Sequence, residues 1–215
     1  MSEPDIRSWL RTFPTAELDV PDSPPPDPDS EPYVVFLHWL EHAAASGVPE
    51  ANVCVLSTVT PADAADARIL ILRDVTPNGW WFSGPAFSPK GVQLAANSAA
   101  ALTFYWREHG RQVRISGTVQ VGGATETERD FLDRSPTARS VAAASDQSAE
   151  LVDEGDYREA VDGADPDTVP EHWRTWCLAA TTVEFWQADP GGRHRRWQYT
   201  RPVASAQWTQ RVLWP

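Results

Sequence analysis

Three neighbouring runs decide the fold: ARILILRD at residues 67–74, NGWWFSGPAFSPKGVQLAAN at 78–97 and AAALTFYWREHGRQVRISGTVQ at 99–120. Each is apolar at its centre, carries a basic or amide side chain at its edge, and is set off by turn signals. Arg68–Arg73 encloses four apolar residues between two arginines and reads as a strand. Asn78-Gly79 favours a tight hairpin turn, which makes the following Trp80–Ser83 the returning strand. Ser88-Pro89 supplies a cap and a proline at the first helical position, so a short helix is expected up to Asn97. Leu102–Trp106 and Gln112–Val121 form another strand pair. In the latter, Val113, Ile115, Gly117 and Val119 face one way and Gln112, Arg114, Ser116 and Thr118 the other. The chain's only lysine, Lys90, lies inside this stretch. Arginines, a lysine and a glutamine spread along successive strands point to an anion held between them.

Working outward, Val53–Val59 is β-branched, bounded by Pro49 and Pro61, and reads as a strand, with 60–67 as a polar turn. Ser30, Glu31 and Pro32 signal a helix start, and Val35, Phe36, Trp39, Leu40 and Ala43 recur at helical spacing up to Gly47. Thr125 and Glu128 match a capping box, predicting a helix to about Arg134. Residues 135–168 read as loop with one short helix near Ala149–Tyr157. Leu178–Gln187, Arg196–Arg201 and Gln207–Leu213 supply the last strands, with a Gly191-Gly192 turn before the second. Residues 1–29, rich in proline and acid, cannot offset their ordering entropy and are expected to be a disordered arm. Seven or eight antiparallel strands with three or four peripheral helices give a mainly β domain over 30–215. A closed or partly closed barrel is the economical way to remove its sheet edges.

The formal net charge of the 215-residue chain is -12, unevenly placed. Residues 1–32 and 146–167 are strongly acidic, whereas 68–139 carries nine basic residues against six acids. That balance disfavours nucleic acid and anionic membranes and suits one small anionic ligand. Cys54 and Cys177 sit in apolar runs without metal-ligand spacing, so buried thiols and a cytoplasmic location are expected. No signal peptide or membrane span is expected. Phosphate-loop, dinucleotide, nucleophile-elbow and zinc-protease motifs are all missing. His38 and His42 share a helix but no further ligand accompanies them, and no metal is expected. Taken alone, Arg68, Arg73, Lys90, Arg111 and Arg114 also read as solvated edge charges.

Six short motifs in order favour the anion site instead. They are Arg68-Ile-Leu-Ile-Leu-Arg73, Ser88-Pro-Lys90, Arg111-Gln112-Val113, Gln147-Ser148, Glu184-Phe-Trp-Gln187 and Trp208 followed by Arg211-Val-Leu-Trp-Pro215. Together they resemble the pyridoxine/pyridoxamine 5'-phosphate oxidases and their flavin-binding split-barrel relatives, over residues from about 30 to the C-terminus. The resemblance implies an antiparallel split β-barrel that binds flavin mononucleotide (FMN) at a homodimer interface. It assigns Arg68, Ser83, Gly84, Lys90, Gln112, Gln147, Ser148, Trp186 and Arg196 to the flavin. It assigns Arg73, Asp130, Arg134, Ala138 and His194 to the substrate, with Arg134 and His194 positioning it for reaction. Departures are visible: Pro89 stands where the family has an arginine, and Asp130, Ala138 and Gly192 replace substrate-holding groups. Asp130 beside a substrate phosphate would add repulsion. The implied activity is an FMN-dependent oxidase passing a hydride to the flavin and on to dioxygen. Its substrate is a vitamin B6 phosphate or a dihydro-aromatic, phenazine-type precursor, and a flavin-binding module without turnover is the alternative.

Overall fold

The computed structural model describes residues 5–14, 18–21 and 24–215, and in it the basic stretch curls into one antiparallel sheet. The chain begins with α1 (Ile6–Leu10) and α2 (Pro32–Ala45), followed by β1 (Val53–Val59) and β2 (Ala65–Ile71). A hairpin, β3 (Asp74–Thr76) and β4 (Gly79–Pro85), leads into α3 (Pro89–Ala96), β5 (Ala99–Trp106) and β6 (Arg111–Val121). Three helices follow: α4 (Ala124–Leu132), α5 (Pro136–Ala144) and α6 (Glu154–Gly163). The chain closes with β7 (Trp173–Gln187), β8 (Arg195–Thr200) and β9 (Thr209–Leu213).

The nine strands form one sheet in the order β2-β1-β5-β6-β7-β4-β3, with β8 on β7 and β9 on β8. β7 makes this a split barrel. Its first half pairs with β4 (Trp80↔Leu178), its second half with β8 (Trp186↔Arg196), and β6 runs alongside both. The register of β6 against β7 shifts between Ser116 and Gly117, and such a bulge bends the sheet. The amphipathic α2 fills the curl. Phe36, with no exposure, meets Phe104 at 4.9 Å and Trp80 at 5.8 Å edge-on, while Trp39 meets Phe185 at 5.1 Å. The Arg111 side chain is fully buried and its guanidinium lies 4.3 Å over the Trp39 ring. Burial, and then the charge of Arg195, lower its pKa to about 10. Cys54 and Cys177 are free and buried, and burial pushes the Cys54 thiol up to about 12.

Split-barrel architecture and mainly β composition match the sequence reading; several boundaries do not. Among the described residues there are nine strands rather than seven or eight. β2 starts three residues before Arg68, because the turn closes early through Thr60 N–H to Ala64 O at 2.8 Å. α5 occupies a stretch expected to be loop; Ser135 caps it, with Pro136 in its first turn. That is the same Ser-Pro signal that opens α3, but on alanines without a clear apolar stripe. The capping box at Thr125 does not form: α4 begins at Ala124 after Gly123, and Thr127 instead hydrogen-bonds Thr175 at 3.0 Å. α6 starts after Asp153, whose carboxylate accepts from the Gly155 N–H, so it overlaps the end of the expected helix and runs on beyond it. Among the described residues no helix is long and apolar enough to cross a membrane.

The expected disordered arm, residues 1–29, lies partly outside the described residues. Its described part includes α1 and a run tied to the barrel. Asp19 N–H donates to Glu108 O at 2.8 Å, and Gln187 Nε2 donates to Pro21 O at 3.1 Å. Gln210 Nε2 donates to Pro26 O at 3.2 Å, and the buried Tyr199 hydroxyl donates to Asp27 O at 3.1 Å. Tyr199→Phe removes that last donor and is expected to cost about 1–2 kcal/mol. Chemical unfolding checks this, and an unchanged midpoint counts against a stabilising tie.

Candidate functional site

A cavity of about 620 Å³ opens between β2, the end of β4, the start of α3 and α5. It gathers eight of the residues singled out from sequence: Arg68, Arg73, Ser83, Gly84, Lys90, Arg134, Ala138 and Gln147. Strand alternation accounts for Arg68, since Asp66, Arg68 and Leu70 share the less exposed face of β2. The turn from β4 into α3 accounts for Lys90. Ser88 caps the helix, accepting from Gly91 N–H, while its hydroxyl donates to Pro85 O at 2.6 Å. Gly91 makes the turn possible, because a Cβ there would stand 2.2 Å from Ala86 O.

At one end of the cavity both terminal nitrogens of the Arg68 guanidinium are held. It donates to Thr58 Oγ1 at 2.5 Å, Gln93 Oε1 at 2.8 Å and Leu56 O at 3.3 Å, and pairs with Asp66 at 2.6 Å. The Gln93 amide also donates to Asp66. That bond, followed by the Arg68 charge, outweighs desolvation and holds the Asp66 carboxyl below its ordinary value. Lys90 is 7% exposed and donates to Gln147 Oε1 at 2.6 Å and Ser88 Oγ at 3.1 Å. Burial, and then the nearby Arg68 charge, push its pKa down to about 8. Gly84 backs it closely: a Cβ there would lie 2.6 Å from Lys90 Nζ.

At the other end a carboxylate joins two arginines. Asp130 accepts from Arg73 Nε at 2.8 Å and from Trp173 Nε1 at 3.0 Å, and lies 3.5 Å from Arg134. Arg134 also donates to Ser83 Oγ at 2.7 Å and lies 4.6 Å over the Trp173 ring, while its buried Nε has no hydrogen-bond partner. Burial acts to raise the Asp130 carboxyl, but the Arg73 hydrogen bond, the Arg134 charge and Trp173 together hold it below its ordinary value.

The remaining expected residues lie apart from the cavity. Ser148, with φ at 74°, lines a neighbouring depression with Pro89 and Gln93. Gln112, Trp186 and Arg196 form one row across β6, β7 and β8, as Gln112↔Trp186 and Trp186↔Arg196 pairs. Directly paired residues share a face, so this row is presented opposite the buried Val113, Phe185 and Trp197. Arg196 is held by Glu184 at 3.1 Å, which also takes Arg114 at 3.3 Å, and the buried Arg196 Nε is without a partner. The His194 ring lies 5.0 Å from Trp186, and its Nδ1 accepts from the Asp189 backbone N–H at 3.1 Å. Arg134 and His194 therefore belong to different groups within one chain.

Sequence reasoning missed the residues that hold the arginines: Thr58, Asp66 and Gln93 around Arg68, Trp173 behind Arg134, and Glu184 beside Arg196. Two of them carried a signal. Gln93 follows Lys90 by three on a helix, and Asp66 precedes Arg68 by two on a strand, so each pair shares a face.

Known proteins share this fold. The family model described as pyridoxamine 5'-phosphate oxidase matches residues 40–162. A second, described as the pyridoxine 5'-phosphate oxidase C-terminal dimerisation region, matches 173–215. The pyridoxine/pyridoxamine 5'-phosphate oxidase of Burkholderia thailandensis is 39% identical over 205 residues, 92% of each chain. That of Ralstonia pickettii is 35% identical over 212 residues, 95% of each. Among solved structures, PhzG from Burkholderia lata 383 in complex with tetrahydrophenazine-1-carboxylic acid superposes with a TM-score of 0.86 at 29% identity. It covers 93% of this chain and 100% of that one. With the split barrel, the ordered motifs and matches along nearly its whole length, the chain belongs to the pyridoxamine 5'-phosphate oxidase family.

Proposed function

We propose that the protein is a cytoplasmic, homodimeric FMN-dependent oxidase. The observation that carries this reading is the buried Lys90, held beside Arg68 and Gln147 and backed by the bare Gly84. A buried ammonium is costly unless an anion accompanies it, and none of its hydrogen-bond partners here is charged. A phosphate supplies the missing charge. Lys90 would meet the FMN phosphate as a point charge, with Gln147 and the Ser83–Gly84 strand end alongside. Arg68, already braced by Thr58, Gln93 and Asp66, presents a fixed guanidinium to the same region. When bound, FMN supplies hydride acceptance from a substrate carbon, and dioxygen takes the electron pair to give peroxide.

The row Gln112–Trp186–Arg196 would serve the flavin ring of a second subunit. This is supported by its absence from the cavity of its own chain and by the place of Trp186 and Arg196 in the segment that matches the dimerisation region. Glu184 holds the Arg196 guanidinium in place through an ion pair at 3.1 Å. Because His194 Nδ1 accepts from the Asp189 N–H, the ring carries its proton on Nε2, which would be a donor for substrate. Arg73 and Arg134 would meet the substrate in the cavity. A vitamin B6 phosphate and a dihydro-aromatic acid are the two substrate classes this arrangement brings forward.

Titration of the purified dimer with FMN, followed by photoreduction and mixing with air, tests the proposal. Saturable uptake of one FMN per chain and rapid reoxidation with peroxide release are expected. Failure to bind FMN overturns the flavin reading, and a flavin that stays reduced in air leaves a binding module without oxidase turnover.

A further inference from the structure

Resting on the oxidase reading, we infer that Asp130 is a specificity-determining counter-ion that sets the substrate end of the cavity for a single negative charge. The substrate class is an apolar ring system bearing one carboxylate rather than a phosphate ester. The argument is one of charge and donors. Arg73 and Arg134 both line the cavity, and together they would suit a dianion. Asp130 sits between them with its side chain 8% exposed, taking Arg73 Nε at 2.8 Å and standing 3.5 Å from Arg134. Both its oxygens are used, the second also by Trp173 Nε1 at 3.0 Å, so it is fixed in place. The trio therefore carries one net positive charge. A monoanion neutralises it; a phosphate dianion leaves an uncompensated negative charge in a partly buried place, which is unfavourable.

The donors agree. Arg134 has already given one terminal nitrogen to Ser83 Oγ at 2.7 Å, while its buried Nε remains without a partner. Arg73 meets Asp130 through Nε alone, so its terminal nitrogens can take the two oxygens of a carboxylate. Ile71, Ala138, Val141 and Ala142 give the wall an apolar stretch that fits the body of a ring, with the Ser135 and Thr137 hydroxyls beside it.

Benzoate and phenyl phosphate are matched probes that differ in charge, since a phosphate ester with a second pKa of about 6 is a dianion at pH 7.5. Each is titrated by calorimetry into FMN-loaded protein, after FMN uptake has been scored by absorbance. In the wild type, benzoate is expected to bind at least as tightly as phenyl phosphate. In Asp130→Asn the preference is expected to move towards phenyl phosphate by about tenfold or more, the effect of one unit charge at close range. Asp130→Glu is expected to restore the wild-type order, which a merely structural role of the side chain would not do. A wild type that prefers phenyl phosphate by more than tenfold, or that binds neither probe, overturns the inference whether or not the variants fold. So does a preference that ignores the Asn substitution. A chain that takes up no FMN fails at the first step and removes the oxidase reading as well; a loaded chain indifferent to Asp130 removes this inference alone.

Discussion

Lys90→Met is expected to weaken FMN binding by about ten- to 150-fold, the value of losing one charge-assisted hydrogen bond worth about 1.5–3 kcal/mol. The chain has no second lysine to compensate, and Arg68 is already held by Thr58, Gln93 and Asp66. The same substitution should not destabilise the flavin-free protein. Lys90 is lowered from 10.5 to about 8, chiefly by burial, so its protonated form is disfavoured in the folded chain. The sign follows: the cost is fully present below pH 8 and is relieved as pH rises from 8 towards 10.5, where the unfolded chain still binds the proton. FMN affinity has the opposite trend. It needs the ammonium, so the dissociation constant should stay level near neutrality and rise about tenfold per pH unit above pH 8. Fluorescence titration between pH 6.5 and 9.5 checks both statements. A profile that Lys90→Met leaves unchanged would place the phosphate elsewhere.

Gly91→Ala is expected to lower stability by about 1–3 kcal/mol or more and to weaken FMN binding with it. The new Cβ would stand 2.2 Å from Ala86 O, 2.7 Å from Ala86 C and 2.9 Å from Pro85 O, all backbone atoms that no rotamer change can move. α3 would have to lift from the end of β4, taking Lys90 with it. At about 2–4 °C per kcal/mol for a chain of this size, the melting midpoint should fall by several degrees. Gly163→Ala is the control: it lies at the end of α6, and nothing stands within 4 Å of its added Cβ. That variant should be neutral or slightly stabilising through helix propensity alone. Equal midpoints for the two variants would mean that the connector yields more easily than its geometry suggests.

Where local chemistry dictates structure, the sequence was readable. Asn78-Gly79 and Ser88-Pro89 led to the hairpin and to α3, and alternation along Gln112–Val121 foresaw the buried Val113, Ile115 and Val119. The failures have physical causes. α5 carries a Ser-Pro start but alanines in place of an apolar stripe, so its periodicity is mute until it packs beside the cavity. The residues bracing Arg68 could not be found by spacing alone, because Thr58 meets Arg68 through the β1–β2 register and Gln93 arrives from a distant helix. Asp130 was legible as a departure, but the expectation of bare repulsion missed its partners. Arg73 and Trp173 come from separate elements, and only folding brings them to one carboxylate.

The division of the expected flavin residues between the cavity and the Gln112–Trp186–Arg196 row bears on assembly. On the proposed reading a lone chain owns two half-sites and no whole one. Flavin uptake and subunit pairing are then a single linked equilibrium, since a ligand that binds only the pair raises the population of the pair by mass action. Dilution sheds the cofactor, and loss of the cofactor loosens the pair. A chain damaged in one half still lends its sound half to its neighbour, so the unit on which a mutation acts is the dimer and not the polypeptide.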